Sequence, residues 1–257
     1  MLSGKAFIVT GSSSGIGFAI VRALVAEGAK VVIHGSSRSK VDEAARQLGN
    51  APAIVADLQE AGAAAEIVSF AIAAHGRIDG LVNNAGIFPR GDIDSTDAAL
   101  FDRIFAVNAR APLLLSQAAI QAFRSQGTPA SIVNIGSLNA YTGQTDLLPY
   151  SMSKGALMTM TRNLGDALAS ERIRVNQLNV GWTLTETEMA TQRRSGRPDD
   201  WFKQLNPVFA PTGRLLSPEM VTEHVLFWLS ERSAPVTGQV YEVEQYPVIG
   251  RNLINRF

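Results

Sequence analysis

Along the chain, short apolar runs alternate with longer stretches whose apolar positions recur every third or fourth residue. The short runs lie at residues 6–9, 30–34, 53–56 and 78–82 in the first half, and at 131–135, 173–178 and 239–243 in the second. Continuous apolar runs of this length suit strands buried on both faces, and the longer period suits amphipathic helices. Helices are expected over about 15–27, from about 40, over about 60–74 and 98–124, in the segment that carries Tyr150, and over 219–229. Such alternation predicts βαβ units and therefore an α/β, doubly wound parallel sheet in a single domain spanning 1–257. Between Trp182 and Thr212 the alternation lapses into polar, charged and proline-containing sequence. A stretch of that length in a compact domain predicts a substrate lid over 182–212.

Composition narrows the class. The chain has 257 residues, 46% hydrophobic and 18% charged, which suits one domain with a large core. Its 23 basic and 23 acidic residues cancel, without long blocks of either sign, so nucleic acid and anionic membrane are not expected partners. Without cysteine there are no disulfides, thiolate metal sites or cysteine nucleophiles. His34, His75 and His224 lack metal-ligand spacing, so no metal is expected and each reads as a surface or packing residue. The first strand begins almost at the N-terminus and no apolar stretch is long enough for a bilayer, so the expected location is cytoplasmic.

Candidate chemistry begins at the first strand-to-helix junction, where Thr10, Gly11, Ser12, Ser13, Ser14, Gly15, Ile16 and Gly17 follow one another. Glycines there allow a sharp turn and let a pyrophosphate approach amides at a helix N-terminus, where the dipole favours negative charge. The same glycines also suit a tight turn with a close helix-to-strand contact. Dehydrogenases of this architecture that prefer NAD end the second strand with an acid about 20 residues beyond the glycine turn. Gly35 holds that place here, followed by Ser36, Ser37 and Arg38, whose hydroxyls and guanidinium would accept a 2′-phosphate. NADP(H) is therefore expected over NAD(H). Against this, Arg38 also reads as a solvated residue that opens the next helix, and the glycine turn itself holds no basic residue.

Tyr150 and Lys154 stand four residues apart, which on a helix stacks a phenol beside an ammonium on one face. A free tyrosine titrates near ~10, so acid/base work at neutral pH needs a cation that favours phenolate. Lowering the phenol by roughly three units takes about 4 kcal/mol, more than one solvated lysine supplies. A second positive charge is wanted, and an oxidised nicotinamide ring would provide one.

Thr10 to Gly17, Asn83 to Gly86, Ser137 after the fifth strand, and Tyr150 with Lys154 occur in the order T-G-x-x-x-G-x-G, N-N-A-G, Ser, Y-x-x-x-K. In this the sequence resembles the short-chain dehydrogenase/reductase family over essentially its whole length. The resemblance implies a Rossmann-type fold, hydride transfer between a nicotinamide cofactor and an alcohol or carbonyl, and a homotetramer built on helices around 97–124 and 150–168. It also implies roles. Gly11, Ser13, Ser14, Gly15, Ile16 and Gly17 would cradle phosphate, and Asn84, Ala85 and Gly86 would pass beside the adenosine ribose. Asp57 with Leu58 would receive the adenine amino group, although an N-cap for the following helix accounts for Asp57 equally well. Ser137 would hold the substrate oxygen, Tyr150 would exchange its proton, and Lys154 would lower the phenol and hold the nicotinamide ribose. Asn108, an interruption in an apolar helix, would order water in a proton relay from the lysine. Gly181, Thr183 and Thr185 would hold the carboxamide.

Two departures stand out. Val180 replaces the proline expected before Gly181, which removes a fixed φ angle. After the last strand the chain runs Glu244, Gln245, Tyr246, Pro247 and on to Phe257 instead of an acid and paired glycines. This tail, 245–257, is expected to pack over an active site with Arg251 as a polar contact. Substrate identity is expected to lie in 88–93, 138–148 and the lid. Asn139, Tyr141, Gln144, Trp182 and Glu186 there would suit a polyhydroxylated substrate such as a sugar or sugar acid. The alternatives are a 3-oxoacyl-thioester reductase and a nucleotide-binding scaffold without turnover.

Overall fold

The structure is a computed structural model that describes residues 2–249 and 251. Its strands are β1 (Ala6–Val9), β2 (Lys30–Gly35), β3 (Ala53–Val55), β4 (Gly80–Asn83), β5 (Ala130–Ser137), β6 (Ile173–Val180) and β7 (Val240–Val243). They form one sheet in the order β3-β2-β1-β4-β5-β6-β7, and every neighbouring pair is parallel. Helices α1 (Gly15–Ala26), α2 (Arg38–Gln47) and α3 (Ala63–His75) connect the first strands. Then come α4 (Ala98–Phe105), α5 (Ala111–Gln126), α6 (Asn139–Thr142), α7 (Leu148–Ala167), α8 (Glu186–Arg194) and α9 (Pro218–Leu229).

Parity within the strands explains the two layers. Ile8 points into a core shared with Ile67, Leu115 and Phe123 of α3 and α5, whereas Phe7 and Val9 join Ile20, Leu24, Val225 and Trp228 of α1 and α9. Burial on both faces is why these strands read as unbroken apolar runs. Strand order reverses between β1 and β4, and the crevice at their carboxyl ends is where such sheets bind ligands.

Register on one side of the sheet is fixed by polar groups. Asn83, Asn134 and Gln177 stand opposite one another on β4, β5 and β6. Asn83 donates to Asn134 (2.8 Å), Asn134 to Thr161 of α7 (2.8 Å), and the Thr161 hydroxyl lies 2.9 Å from the Gln177 side-chain oxygen. A one-residue slip would strand all of them without partners in the interior, at about 1–3 kcal/mol each.

Three expectations change. The single helix expected over 98–124 is α4 and α5 joined by a π-helical turn, Ala106–Arg110, with Asn108 at its centre. The expected lid is not structureless: it contains α8 and a 3-10 turn, Trp201–Lys203, over an apolar cluster of Trp201, Ala210 and Leu215. Asp57 does not cap α3, whose N-cap is Gly62; its carboxylate instead accepts from the Gln59 amide (2.9 Å) in a turn before the helix.

Candidate active site

The turn after β1 is held from below. The Thr10 hydroxyl accepts from the amides of Asn84 and Ala85, both at 3.1 Å, and the Asn84 side chain donates to the carbonyls of Thr10 (2.8 Å) and Gly11 (3.1 Å). A Cβ on Gly11 would stand 2.9 Å from the Ala85 Cα, and one on Gly17 would stand 2.5 Å from the Asn84 amide nitrogen. These two glycines therefore serve the close packing of chain on chain. Gly15, with φ +57, completes the turn and has no neighbour nearer than Thr185 at 3.6 Å.

α1 begins at Gly15 without a side-chain cap, so amides of its first turn have no protein acceptor there. Ser13, Ser14 and Gly15 line a groove completed by Phe18, Ser39, Lys40, Glu43, Ala44, Gln47 and Glu186. Uncapped amides, hydroxyls and an ammonium form a donor set that fits a phosphorylated dinucleotide. At Gly35 a Cβ would come within 2.7 Å of the Ser13 hydroxyl and 3.0 Å of Val41, so a side chain there would have to displace Ser13. Ser36 is exposed and Ser37 lies beside Ser39 (3.2 Å between hydroxyls). Arg38 opens α2 and lies 3.8 Å from Asp42 along the helix, while Lys40 lines the groove. Leu58 is buried in the core with α3.

His34 has a part that the sequence reading missed. Its Nδ1 accepts from the Gly11 amide (3.1 Å), and its Nε2 lies 3.1 Å from the Ala56 carbonyl, so the ring spans from the glycine turn to the end of β3. Burial lowers its pKa below the usual histidine value, keeping the neutral form with Nε2 as donor and Nδ1 as acceptor. A histidine inside an otherwise apolar strand is the sequence signal that could have marked it.

The reacting groups meet at the carboxyl edge. Ser137 ends β5, and Tyr150 and Lys154 sit one turn apart on α7, which Pro149 helps to start. All three line a cavity of about 1630 Å³ together with Ile16, Asn84, Gly86, Gly181, Thr183 and Thr185. Phe88 packs its ring edge-on against Tyr150, with centroids 6.2 Å apart. Lys154 is 4% exposed and donates to the Ile135 carbonyl at 2.8 Å, so two of its three N–H groups have no partner in the described residues. Burial lowers its pKa to about 8. Burial also pushes the Tyr150 phenol above its ordinary value, and the Ser137 hydroxyl works in the other direction. In the chain by itself the phenol is thus not lowered, contrary to what the spacing led us to expect of Lys154.

Asn108 is buried in the π-helical turn, where it accepts from the Ile87 amide (2.9 Å) and donates to the Ile87 carbonyl (2.8 Å) and the Ser153 hydroxyl (3.1 Å). Its side chain ties the segment after β4 to α7. Asn108 Oδ1 and Lys154 Nζ each lie 3.5 Å from the point where a Gly86 Cβ would stand.

Val180 causes no break: it ends β6 paired with Ser137 and Val243. Beyond it, Thr183 donates to the Gly181 carbonyl (3.2 Å) and Thr185 caps α8 by accepting from the Glu188 amide (3.1 Å). Of the candidate substrate residues, Asn139, Gln144 and Trp182 line the cavity. Two of these side chains are already engaged, Gln144 donating to Asp146 (2.8 Å) and the Trp182 indole to Glu188 (2.8 Å). Glu186 faces the outer groove, and Tyr141 is absent from the cavity lining. Tyr246, Val248 and Arg251 of the tail line the cavity; residues 252–257 lie outside the described residues. The lid is pinned at both ends by residues just after β7. Glu244 accepts from the Trp182 amide (3.0 Å), and Gln245 accepts from the Thr212 amide (3.1 Å) and donates to the Arg214 carbonyl (2.7 Å).

A doubly wound sheet whose switch point joins a glycine-rich turn to a serine, tyrosine and lysine is the arrangement of a dinucleotide-dependent oxidoreductase. The family model described as Enoyl-(Acyl carrier protein) reductase matches residues 11–245. The 2-(S)-hydroxypropyl-CoM dehydrogenase 3 of Xanthobacter autotrophicus is 33% identical over 95% of this chain and 96% of its own. L-xylulose reductase of Bos taurus is 34% identical over 95% and 96%. The crystal structure of L-sorbose reductase from Gluconobacter frateurii, complexed with NADPH and L-sorbose, superposes with a TM-score of 0.88 at 28% identity, covering 95% and 96% of the two chains. The chain belongs to the short-chain dehydrogenase/reductase family. It is an NAD(P)-dependent dehydrogenase/reductase of alcohols and carbonyls. No helix among the described residues is long and apolar enough to cross a membrane.

Proposed function

We propose that the protein interconverts a polyhydroxylated, sugar-like alcohol and its carbonyl form with NADP(H). The observation that carries this reading is the single cavity in which Ser137, Tyr150 and Lys154 share walls with the polar side chains of Asn139, Gln144 and Thr142. Relatives named for xylulose and sorbose support it. For the cofactor, a side chain at Gly35 would have to displace Ser13, and Ser13 and Lys40 face the groove beside Ser36, Ser37 and Arg38. Ser13, Ser14, Gly15 and Ile16 then hold the pyrophosphate, Asp57 and Leu58 the adenine, and Asn84 to Gly86 the adenosine ribose. Gly181, Thr183 and Thr185 hold the carboxamide.

When bound, the nicotinamide supplies or accepts hydride at the substrate carbon. Ser137 holds the substrate oxygen. In reduction Tyr150 gives that oxygen its phenolic proton, and in oxidation takes it back. A phenol kept protonated by burial suits the first direction. Lys154 turns its two free N–H groups to the nicotinamide ribose and replaces the proton lost by Tyr150 through water held near Gly86 and Asn108. The protein works as a homotetramer in the cytoplasm, with the exposed Leu113 and Met152 of α5 and α7 covered by neighbouring copies.

The test is turnover of L-sorbose, L-xylulose and an acetoacetyl thioester with NADPH and NADH, in the wild type and Tyr150→Phe. Ketose reduction with NADPH that Tyr150→Phe lowers at least a hundredfold is expected. Preference for the thioester, or for NADH, would refute the corresponding part. A monomer by mass measurement at micromolar concentration would remove the tetramer.

A further inference from the structure

The cavity wall carries three arginines, and their surroundings differ. Arg90 is paired with Asp146. Arg197 lies on the exposed surface of the lid, its guanidinium 5.5 Å from the centre of the Trp201 ring. Arg251 stands over Tyr246, its guanidinium 3.6 Å from the ring centre, and its Nε and Nη2 are buried without a hydrogen-bond partner in the described residues. The nearby carboxylates are spoken for. Glu244 accepts from the amides of Trp182 (3.0 Å) and Gln245 (2.7 Å), and Glu188 from Trp182 Nε1 (2.8 Å) and Gln192 (2.6 Å).

A guanidinium fixed by stacking keeps its N–H fork in one plane, the geometry that takes a carboxylate in two parallel hydrogen bonds. Leaving charged donors buried and unpaired costs more than the 1–3 kcal/mol of a neutral group, so a ligand that brings the missing acceptor gains that much by binding here. Arg197 has solvent for that purpose and Arg251 does not.

We infer that the substrate is a carboxylate-bearing polyol, a sugar acid, whose carboxylate is held by Arg251 of the C-terminal tail. This rests on the sugar-like reading of the site and specifies the end of the molecule remote from the reacting carbon. Tyr246, Val248 and Arg251 thereby become part of the substrate site, which gives a reason for the departure from the glycine pair expected after the last strand.

5-Keto-D-gluconate and L-sorbose differ only in a terminal carboxylate against a hydroxymethyl group, and D-gluconate and D-glucitol differ in the same way. The ratio of kcat/KM for the first pair, with NADPH, is expected to favour the acid at least tenfold in the wild type. It should fall at least tenfold in Arg251→Gln and by less in Arg251→Lys. Calorimetric titration of the enzyme with NADP+ bound should show D-gluconate binding more tightly than D-glucitol, with the difference lost in Arg251→Gln. Thermal melts of both variants check their folding. Equal binding of the two compounds by the wild type, no binding of either, or an acid preference unchanged by Arg251→Gln overturns the inference. Tyr150-dependent reduction of L-sorbose in that event leaves the sugar-like reading standing, whereas turnover of thioesters alone removes that reading as well.

Discussion

The Lys154 ammonium stands 5.8 Å from the centre of the Tyr150 ring, yet its hydrogen bond runs to the Ile135 carbonyl. The two side chains share one face of α7 without a bond between them, and burial moves their pKa values apart: the phenol up, the ammonium down to about 8. Both shifts favour the neutral forms. On the proposed mechanism this is an acid/base centre held ready, and the cofactor and substrate supply the charge that completes it.

A stability cost follows from Lys154. Its pKa of about 8 in the folded chain lies below the ordinary 10.5. Below pH 8 both folded and unfolded states bind the proton, so the folded state carries the full cost of the buried charge, about 3 kcal/mol. Between pH 8 and 10.5 the cost disappears as the folded state goes neutral. Lys154→Met removes the titration. The stability of the wild type relative to this variant, from urea unfolding, should therefore rise by about 3 kcal/mol from pH 7 to 10.5. A constant difference would show that the ammonium is not buried as described. The variant should be inactive.

On the proposed mechanism the same group sets the alkaline limb of the reaction. With NADPH saturating, kcat/KM for the carbonyl substrate should be level up to about pH 8 and then fall about tenfold per pH unit, as the proton that Lys154 passes to Tyr150 is lost. A profile level to pH 10 would exclude Lys154 as the proton source.

The proposed preference for NADP(H) rests on a glycine where an acid stands in NAD-preferring dehydrogenases of this architecture. Because a Cβ at Gly35 would meet Ser13 at 2.7 Å and Val41 at 3.0 Å, Gly35→Asp should weaken both cofactors and not convert the enzyme to NADH. Lys40→Ala should raise the KM for NADPH about tenfold, on the order of 1.4 kcal/mol, and leave that for NADH within twofold. Arg38→Ala should do less, since Arg38 is 71% exposed and turned along α2 towards Asp42.

His34 links binding to acid pH. Its pKa lies below 6.5 in the folded chain because burial disfavours the charged ring. The stability it contributes is complete above pH 6.5 and declines as pH falls below it, because the unfolded chain then binds more protons. Protonation of Nδ1 also removes the acceptor of the Gly11 amide. His34→Phe keeps the volume but leaves the Gly11 amide and the Ala56 carbonyl unpaired. It should cost about 2–4 kcal/mol in urea unfolding and weaken cofactor binding. If its acid sensitivity between pH 6.5 and 5 matched that of the wild type, His34 would not be the titrating group.

What was readable in the sequence follows from periodicity. Burial on both faces made the inner strands largely apolar, and all seven strands, the half-exposed β7 included, were found with small errors at their ends. The π-helical turn has no period of its own, and only Asn108, polar within an apolar helix, betrayed it. α8 was hidden because its residues are nearly all polar and form no apolar stripe. Thr185 with Glu188 was its start signal, a threonine three residues before a glutamate. The motif residues stood out because their spacing is local: Thr10 to Gly17, Asn83 to Gly86, and Tyr150 with Lys154 each fall within a few residues of one another. His34, Lys40 and Glu244 did not, since their parts depend on partners 20 to 60 residues away, as when His34 meets Gly11 and Glu244 meets Trp182.

Gln245 makes a last case, where a residue remote from the chemistry governs access to it. Its side chain accepts from both the amide and the hydroxyl of Thr212 (3.1 and 2.6 Å) and donates to the Arg214 carbonyl (2.7 Å), anchoring the far end of the lid to the strand end. Its neighbour Glu244 anchors the near end through Trp182 (3.0 Å). Between these anchors the lid relies on its own small apolar cluster, so its closing should depend on both. Gln245→Ala should free the Thr212 end. The KM for the carbonyl substrate is then expected to rise about five- to twentyfold, roughly 1–2 kcal/mol for the lost bonds, with NADPH affinity little changed. Limited proteolysis should cut the variant faster between 195 and 214 than the wild type. Equal cleavage combined with an unchanged KM would show that the lid is held by its apolar cluster alone.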